Sequence, residues 1–154
     1  MDQGQNRVKR IKQHINQKGV AAVEFAIVLP FLVLLVFGTI EFGLMFYNKQ
    51  VITNASREGV RAMITGEFTD TEVKQIVLDY CKDKDDQSRL FNLEGSIDLT
   101  TDNIDISYLA GDDRSVGVSF DYDLLFSKII ELIHPVTISA RTTMRMEPGS
   151  GSGS

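Results

Sequence analysis

The feature that most constrains this chain is an apolar run near its N-terminus. From Val20 to Ile40 there are 21 residues, and Glu24 is the only charged one. About 20 apolar residues are enough to cross the hydrocarbon core of a bilayer as a helix. A helix that is apolar all round has to be surrounded by lipid or by other protein. A carboxylate inside such a segment is costly and marks function by default. Upstream, Arg7, Lys9, Arg10, Lys12 and Lys18 stand against a single acid, Asp2. Positive charge of this kind stays on the cytoplasmic side of a membrane, which puts the remainder of the chain outside. Gly19 occupies the junction between basic leader and apolar run.

The remainder has a different character. The whole chain carries 16 basic and 21 acidic residues; leaving out residues 1–19 removes five basic and one acidic, so 11 and 20 remain, a net charge of −9. An acidic body argues against nucleic acid as a partner, because that affinity comes mainly from neutralising phosphates. A chain of 154 residues has room for the apolar segment and one domain with a modest core. Cys81 is the only cysteine, so no intrachain disulfide can form. In an oxidising compartment that leaves a buried thiol or an intermolecular bridge. The terminal Gly-Ser repeat after Pro148 is a flexible linker and takes no part in the fold.

Little order is expected in the polar residues 1–19. The apolar pattern continues past Ile40 to Tyr47, and Val20–Tyr47 would be about 42 Å long as a helix, against a hydrocarbon core of about 30 Å. The far end, which includes Glu41, therefore leaves the lipid and enters the soluble part without a break. Pro30 removes one backbone donor and frees the carbonyl of Ala26, which predicts a kink or a loosened turn. Gly38 and Gly43 either allow close helix approach or are ordinary membrane-helix glycines. Beyond Asn48, Val51, Ile52, Ala55, Gly59, Ala62 and Met63 make one stripe, while Lys49, Arg57, Glu58 and Arg61 face elsewhere. Glu58 and Arg61 are close enough on the helix to pair weakly. Thr65-Gly66 ends a helix that is predicted to begin near Ala21.

Thr69 with Glu72 makes a capping-box signature, and Val73, Ile76, Val77, Tyr80 and Cys81 follow at helical spacing. Lys82 to Arg89 is a charged loop. The rest alternates with period two: Ile97 and Leu99, then Ile104, Ile106 and Tyr108, a turn at Gly111-Asp112-Asp113, and a return through Val116, Val118, Phe120 and Tyr122. Leu124–Ile133 is a short apolar helix or connection, ended by His134-Pro135. Val136, Ile138, Ala140, Thr142, Met144 and Met146 form a last strand. The expected fold is α+β: a long N-terminal helix, transmembrane in its first half and amphipathic in its second, with a second helix packed on a small antiparallel sheet of three or four strands. The expected divisions are a leader over 1–19, a membrane-spanning helix over 20–47, an extracytoplasmic domain over 48–147 and the tail over 148–154.

A basic leader, a glycine, four small or apolar residues, a glutamate, an aromatic and an apolar helix resemble the class III signal of type IV pilins and pseudopilins. The strings VAAVEFAIVLP at 20–30, IEFG at 40–43 and TNASREGVRA at 53–62 are similar to TadE-type minor pilins of the bacterial tight-adherence (Flp) pilus. The similarity covers roughly Gly19 to Ala62. It implies that a prepilin peptidase cuts after Gly19, making Val20 the new terminus and Glu24 the fifth mature residue, followed by Phe25. It implies too that Glu24 of an incoming subunit pairs with a neighbour's terminal amine. Glu41, Phe42, Gly43, Asn54, Arg57, Glu58, Gly59 and Arg61 fall in the family motif. The implied partners are the prepilin peptidase, the major pilin, a second minor pilin of the same system, the inner-membrane assembly platform and inner-membrane lipid. The implied location is the bacterial inner membrane, single-pass, with the leader cytoplasmic and the domain outside, and incorporation into a pilus.

Competing readings exist for each element. Glu24 lies about one turn into the helix and could snorkel to the cytoplasmic headgroups. Val36-Phe37-Gly38 is a passable site for an ordinary signal peptidase, although the apolar run is too long for a normal signal core. Glu41 could limit lipid exposure, pair with a basic residue, or sit solvated at the interface. The small residues at 55, 56 and 59 suggest tight packing onto the sheet or onto a partner. Cys81 and His134 are the only thiol–imidazole pair outside the leader, and nothing in their spacing makes them a nucleophile and base. Two histidines and one cysteine do not make a zinc site, and the acidic clusters lack the spacing of a calcium loop, with Asp112-Asp113 the nearest to one. No catalytic residue, metal or cofactor is expected. The alternative to a pilus-assembly protein is an uncleaved, signal-anchored envelope protein whose soluble domain binds a periplasmic partner. A secreted enzyme released near Thr39 is a third reading.

Overall fold

The computed structural model describes residues 3–125 and 134–146, with side chains described from Gly19 onward. All but the first two residues of the apolar stretch expected over Leu124–Ile133 lie outside the described residues, as does the Gly/Ser tail. Helix α1 spans Gln3–Thr65 and α2 spans Asp70–Tyr80. They are followed by the two-residue strands β1 (Phe91–Asn92) and β2 (Gly95–Ser96), a 3-10 turn at Thr101–Asn103, and strands β3 (Ile104–Tyr108), β4 (Asp113–Tyr122) and β5 (Val136–Arg145). The order of elements is that of an α+β protein with a pilin-like layout. The chain divides into two compact units, one up to Ile40 and one from Glu41. The boundary falls before the Tyr47/Asn48 division that hydropathy suggests, because Leu44 and Met45 already pack against the soluble core and Glu41 and Asn48 are buried.

In the first unit, the helix starts at Gln3 rather than near Ala21, so residues 3–18, expected to have little order, are helical. Gln, Lys and Arg are good helix formers, and a helix already running through Val20 extends backwards without a new nucleation cost. Pro30 lies inside the helix. From Gly19 to Ile40 every residue but Gly38 is exposed.

In the second unit, α1 is amphipathic, and Val51, Ile52, Ala55, Val60, Ala62 and Met63 are buried. Thr69 caps α2 as its sequence predicts: its backbone N–H donates to Glu72 Oε2 at 2.8 Å, and its hydroxyl accepts from the Glu72 N–H at 3.4 Å. Val73, Val77 and Cys81 turn inward from α2. Strands β3, β4 and β5 make an antiparallel meander with β4 in the centre. Val118 pairs with Ile104 on one side and Ala140 on the other. Because side chains alternate across a strand, Val116, Val118, Phe120 and Tyr122 of β4 all enter the core, together with Ile104, Ile138 and Ala140. At the β3–β4 turn Gly111 and Asp112 have φ of 79° and 63°, the left-handed region that glycine and aspartate tolerate.

The outer sheet face is polar. Arg141 donates to Asp105 Oδ2 at 2.5 Å and to Ser107 Oγ at 3.2 Å. That guanidinium holds the Asp105 carboxyl below its ordinary range, with help from the Ser107 hydroxyl. The strand expected at Ile97 and Leu99 is not formed. Ile97 instead adds a rung to the β1–β2 hairpin, its N–H donating to the Leu90 carbonyl at 2.7 Å, and both residues pack against the core as irregular chain. Asn92 closes that hairpin, its Oδ1 accepting the N–H groups of Glu94 and Gly95 at 2.9 and 3.0 Å.

Candidate functional site

The first unit contains the residues of the leader junction. A Cβ added at Gly19 would meet no atom within 4 Å, and the same holds at Gly38. Packing among the described residues therefore does not require glycine at either position. Val20, Glu24 and Phe25 are exposed. Among the described residues, no hydrogen bond or ion pair reaches Glu24. A carboxylate therefore projects, unpartnered among the described residues, from a helix whose other residues from Val20 to Ile40 carry no charge. Within Gly19–Thr65 the mean hydropathy reaches 2.7 over an 18-residue window, and that window is wholly unburied. By length and composition this helix can cross a membrane once, which is consistent with a single-pass anchor.

The remaining motif residues lie in the second unit, where they separate into three groups. Glu41 is 3% exposed, so it is not the solvated residue that its position at the end of the span allows. Its carboxylate accepts a hydrogen bond from the Leu125 N–H, which ties α1 to the chain leaving β4. Tyr122 ends that strand fully buried, and its hydroxyl has no partner among the described residues. Burial first, and then the Glu41 charge, push the Tyr122 pKa up. Period two placed Tyr122 on the return strand, but neither the surroundings of its hydroxyl nor the Glu41–Leu125 contact could be read from spacing, because both depend on where β4 ends against α1.

The second group is the small-residue face. Ala55 and Ser56 are fully buried. Ser56 Oγ donates to the Val116 carbonyl and lies 2.6 Å from Thr142 Oγ1. A Cβ on Gly59 would come within 2.5 Å of Val77 Cγ2 and 3.2 Å of Val116 Cγ1. The expected tight packing is thus onto both α2 and the sheet. Asn48, one of the residues that spacing did not single out, is buried and uses both ends of its amide. Nδ2 donates to the Phe91 carbonyl at 2.8 Å, and Oδ1 accepts the Phe91 N–H at 3.3 Å.

The third group faces out. Asn54, Arg57, Glu58 and Arg61 are all exposed, and their i, i+3, i+4, i+7 spacing puts them on one face of α1. Phe42 and Gly43 are exposed as well, and Gly43 has open space around it.

Cys81 is 2% exposed, and burial pushes its thiol up to about 11, against a smaller opposing effect of Arg89. Such a thiol is a core group with almost no thiolate at neutral pH. His134 is exposed. Asp113 is engaged by Arg145, whose Nε donates to Oδ1 at 2.8 Å. Among the described residues no group of three or more His, Cys, Asp or Glu is arranged to hold a metal ion.

Comparison with known proteins adds one finding. No curated protein and no solved structure matches the chain. Residues 19–61 match the model of the family described as TadE-like protein. The matched stretch begins at the junction glycine, includes Glu24 and the IEFG string, crosses the small-residue face, and ends on the outermost arginine of the exposed stripe. Over residues 19–61, the chain is similar to TadE-like proteins.

Proposed function

We propose that the protein is a minor pilin, or pseudopilin, of a tight-adherence pilus. It is inserted once in the bacterial inner membrane, cut after Gly19 by a prepilin peptidase, and used to assemble pili for surface adhesion. The observation that carries this reading is the pairing of Gly19 with Glu24. Nothing among the described residues packs against Gly19, which leaves its backbone open to a peptidase. Cleavage would give Val20 a free amine. A buried ion pair is tolerated in an apolar surrounding only when both charges are matched, and the carboxylate of Glu24 lacks a match among the described residues. A neighbouring subunit's amine supplies one. No step in this account is catalytic: the protein works by packing and by charge pairing.

The exposed stripe of Asn54, Arg57, Glu58 and Arg61 supports a role toward partners, since motif residues that face solvent are not held by the core. Those partners are the major pilin, a second minor pilin and the inner-membrane assembly platform. The test is Glu24→Ala in cells. Processing at Gly19 continues, and surface pili are lost while the subunit accumulates in the inner membrane. Pili in normal number from this variant would refute the pairing.

A further inference from the structure

We propose that the exposed stripe on α1 docks on the acidic surface at the C-terminal end of α2 in a second copy of this chain. The proposal names the partner of a surface already read as facing partners, and it rests on that reading.

The stripe holds two guanidiniums that the fold does not use. Elsewhere Arg141, Arg145 and Lys82 hold carboxylates, Arg89 donates to the Tyr80 carbonyl, and Arg114 lies over the Tyr108 ring. Arg57 and Arg61 are exposed and make no such contact among the described residues. They stand one turn apart, about 6 Å along the axis, so they present their charge as a pair. Glu58 shares the face, which leaves it net positive on an acidic body.

The end of α2 has the opposite imbalance. Its last turn has no basic residue, and Asp79 adds there to the negative end of the helix dipole. Asp83, Asp85 and Asp86 follow in the next loop. Lys82 stands among these acids, its pKa held up first by its hydrogen bond to Asp86 and further by Asp79 and Asp98. Lys82 and Lys84 do not balance them, and Arg89 is turned to the Tyr80 carbonyl.

The two surfaces do not meet within one chain. Val77 of α2 lies against Gly59 of α1. At about 100° per residue, positions 57 and 61 lie about 160° around α1 from Gly59, and Asp79 lies about 160° around α2 from Val77. The arginines and Asp79 therefore point away from the α1–α2 contact in opposite directions. Each copy offers one surface and accepts the other, so the contact is heterologous and repeats along a row of subunits. Exposed ion pairs are individually weak. Anchoring in one membrane supplies the local concentration at which several of them hold.

The test is thiol cross-linking of the full chain in phosphatidylcholine vesicles, whose neutral surface does not compete for the arginines. Asn54→Cys reports the stripe, and Gln75→Cys reports α2 one turn before Asp79, the residue it hydrogen-bonds. The native chain, with only the buried Cys81, sets the background. The proposal expects a cross-linked dimer several-fold above background when the two variants are mixed, and none from either alone. Arg57→Glu with Arg61→Glu on the Asn54→Cys chain removes the dimer. Asp79→Lys with Asp98→Lys on the Gln75→Cys chain then restores it. Equal yield from either variant alone overturns the heterologous contact, and a yield that ignores charge reversal overturns the ion pairing. No dimer in the mixture, with pili lost from cells carrying Arg57→Glu and Arg61→Glu, overturns the second copy and leaves the stripe as a surface for a different subunit. No dimer with normal pili overturns both readings.

Discussion

At Gly59 the backbone of α1 approaches Val77 and Val116 so closely that a methyl group has no room. Gly59→Ala gains up to about 1 kcal/mol of helix propensity but forces branched side chains apart, which typically costs about 1–3 kcal/mol. The expected result is a net loss of stability, seen as a lower midpoint of thermal unfolding for the full chain in detergent. The spacing of residues 55, 56 and 59 revealed that something packs closely there. That the something was α2 as well as the sheet could not be read, because it depends on contacts between residues far apart in sequence.

Cys81 carries a prediction about pH. Its thiol is raised from an ordinary value of 9.0 to about 11, chiefly by burial. The unfolded chain therefore loses this proton at lower pH than the folded one, and stability falls as pH rises from 9 to about 11. The loss from this group amounts to about 2–3 kcal/mol at the upper end. Denaturant titrations across that window should fall more steeply for the native chain than for Cys81→Ala. Equal slopes would contradict the burial of the thiol.

Among the elements, α2 was the most legible. A capping box and a two-turn apolar face are local signals, and Thr69, Glu72, Val73 and Val77 sit where those signals put them. The three long strands were legible for the same reason, since period two identifies the core face of β4 and β5. The hairpin at 91–96 was not. Its strands are two residues each, too short for alternation to show, and its position depends on Asn48, which lies 43 residues away. Ile97 and Leu99 looked like a strand because alternation reports burial on one side, and they are partly buried without being paired. Asn48→Ala removes both hydrogen bonds to the partly buried backbone of Phe91, which costs about 1 kcal/mol for each bond lost. Amide exchange should speed up over residues 90–97 more than in β4. Uniform acceleration over the whole domain would show that Asn48 supports the core instead of the hairpin.

For the whole molecule, hydropathy and charge separated a basic leader, an apolar helix and an acidic α+β domain, and the TadE-like stretch over 19–61 nearly coincides with the strings that carried the resemblance. The join between the parts was less legible. Glu41 looks like an interfacial charge in sequence, yet it is buried in the second unit against Leu125. A helix that continues from an apolar stretch into an amphipathic one has no break at which to read a boundary. The central claim is that Gly19 ends a leader which is removed, so that Val20 presents an amine to Glu24 of a neighbour. The measurement that reaches it most directly is the N-terminal residue of the protein recovered from cells, by intact mass and terminal sequencing, with and without the prepilin peptidase. The account predicts a start at Val20 that depends on the peptidase. A start at Met1 in both strains would contradict it and leave a permanent membrane anchor, and a start near Thr39 would leave a secreted domain.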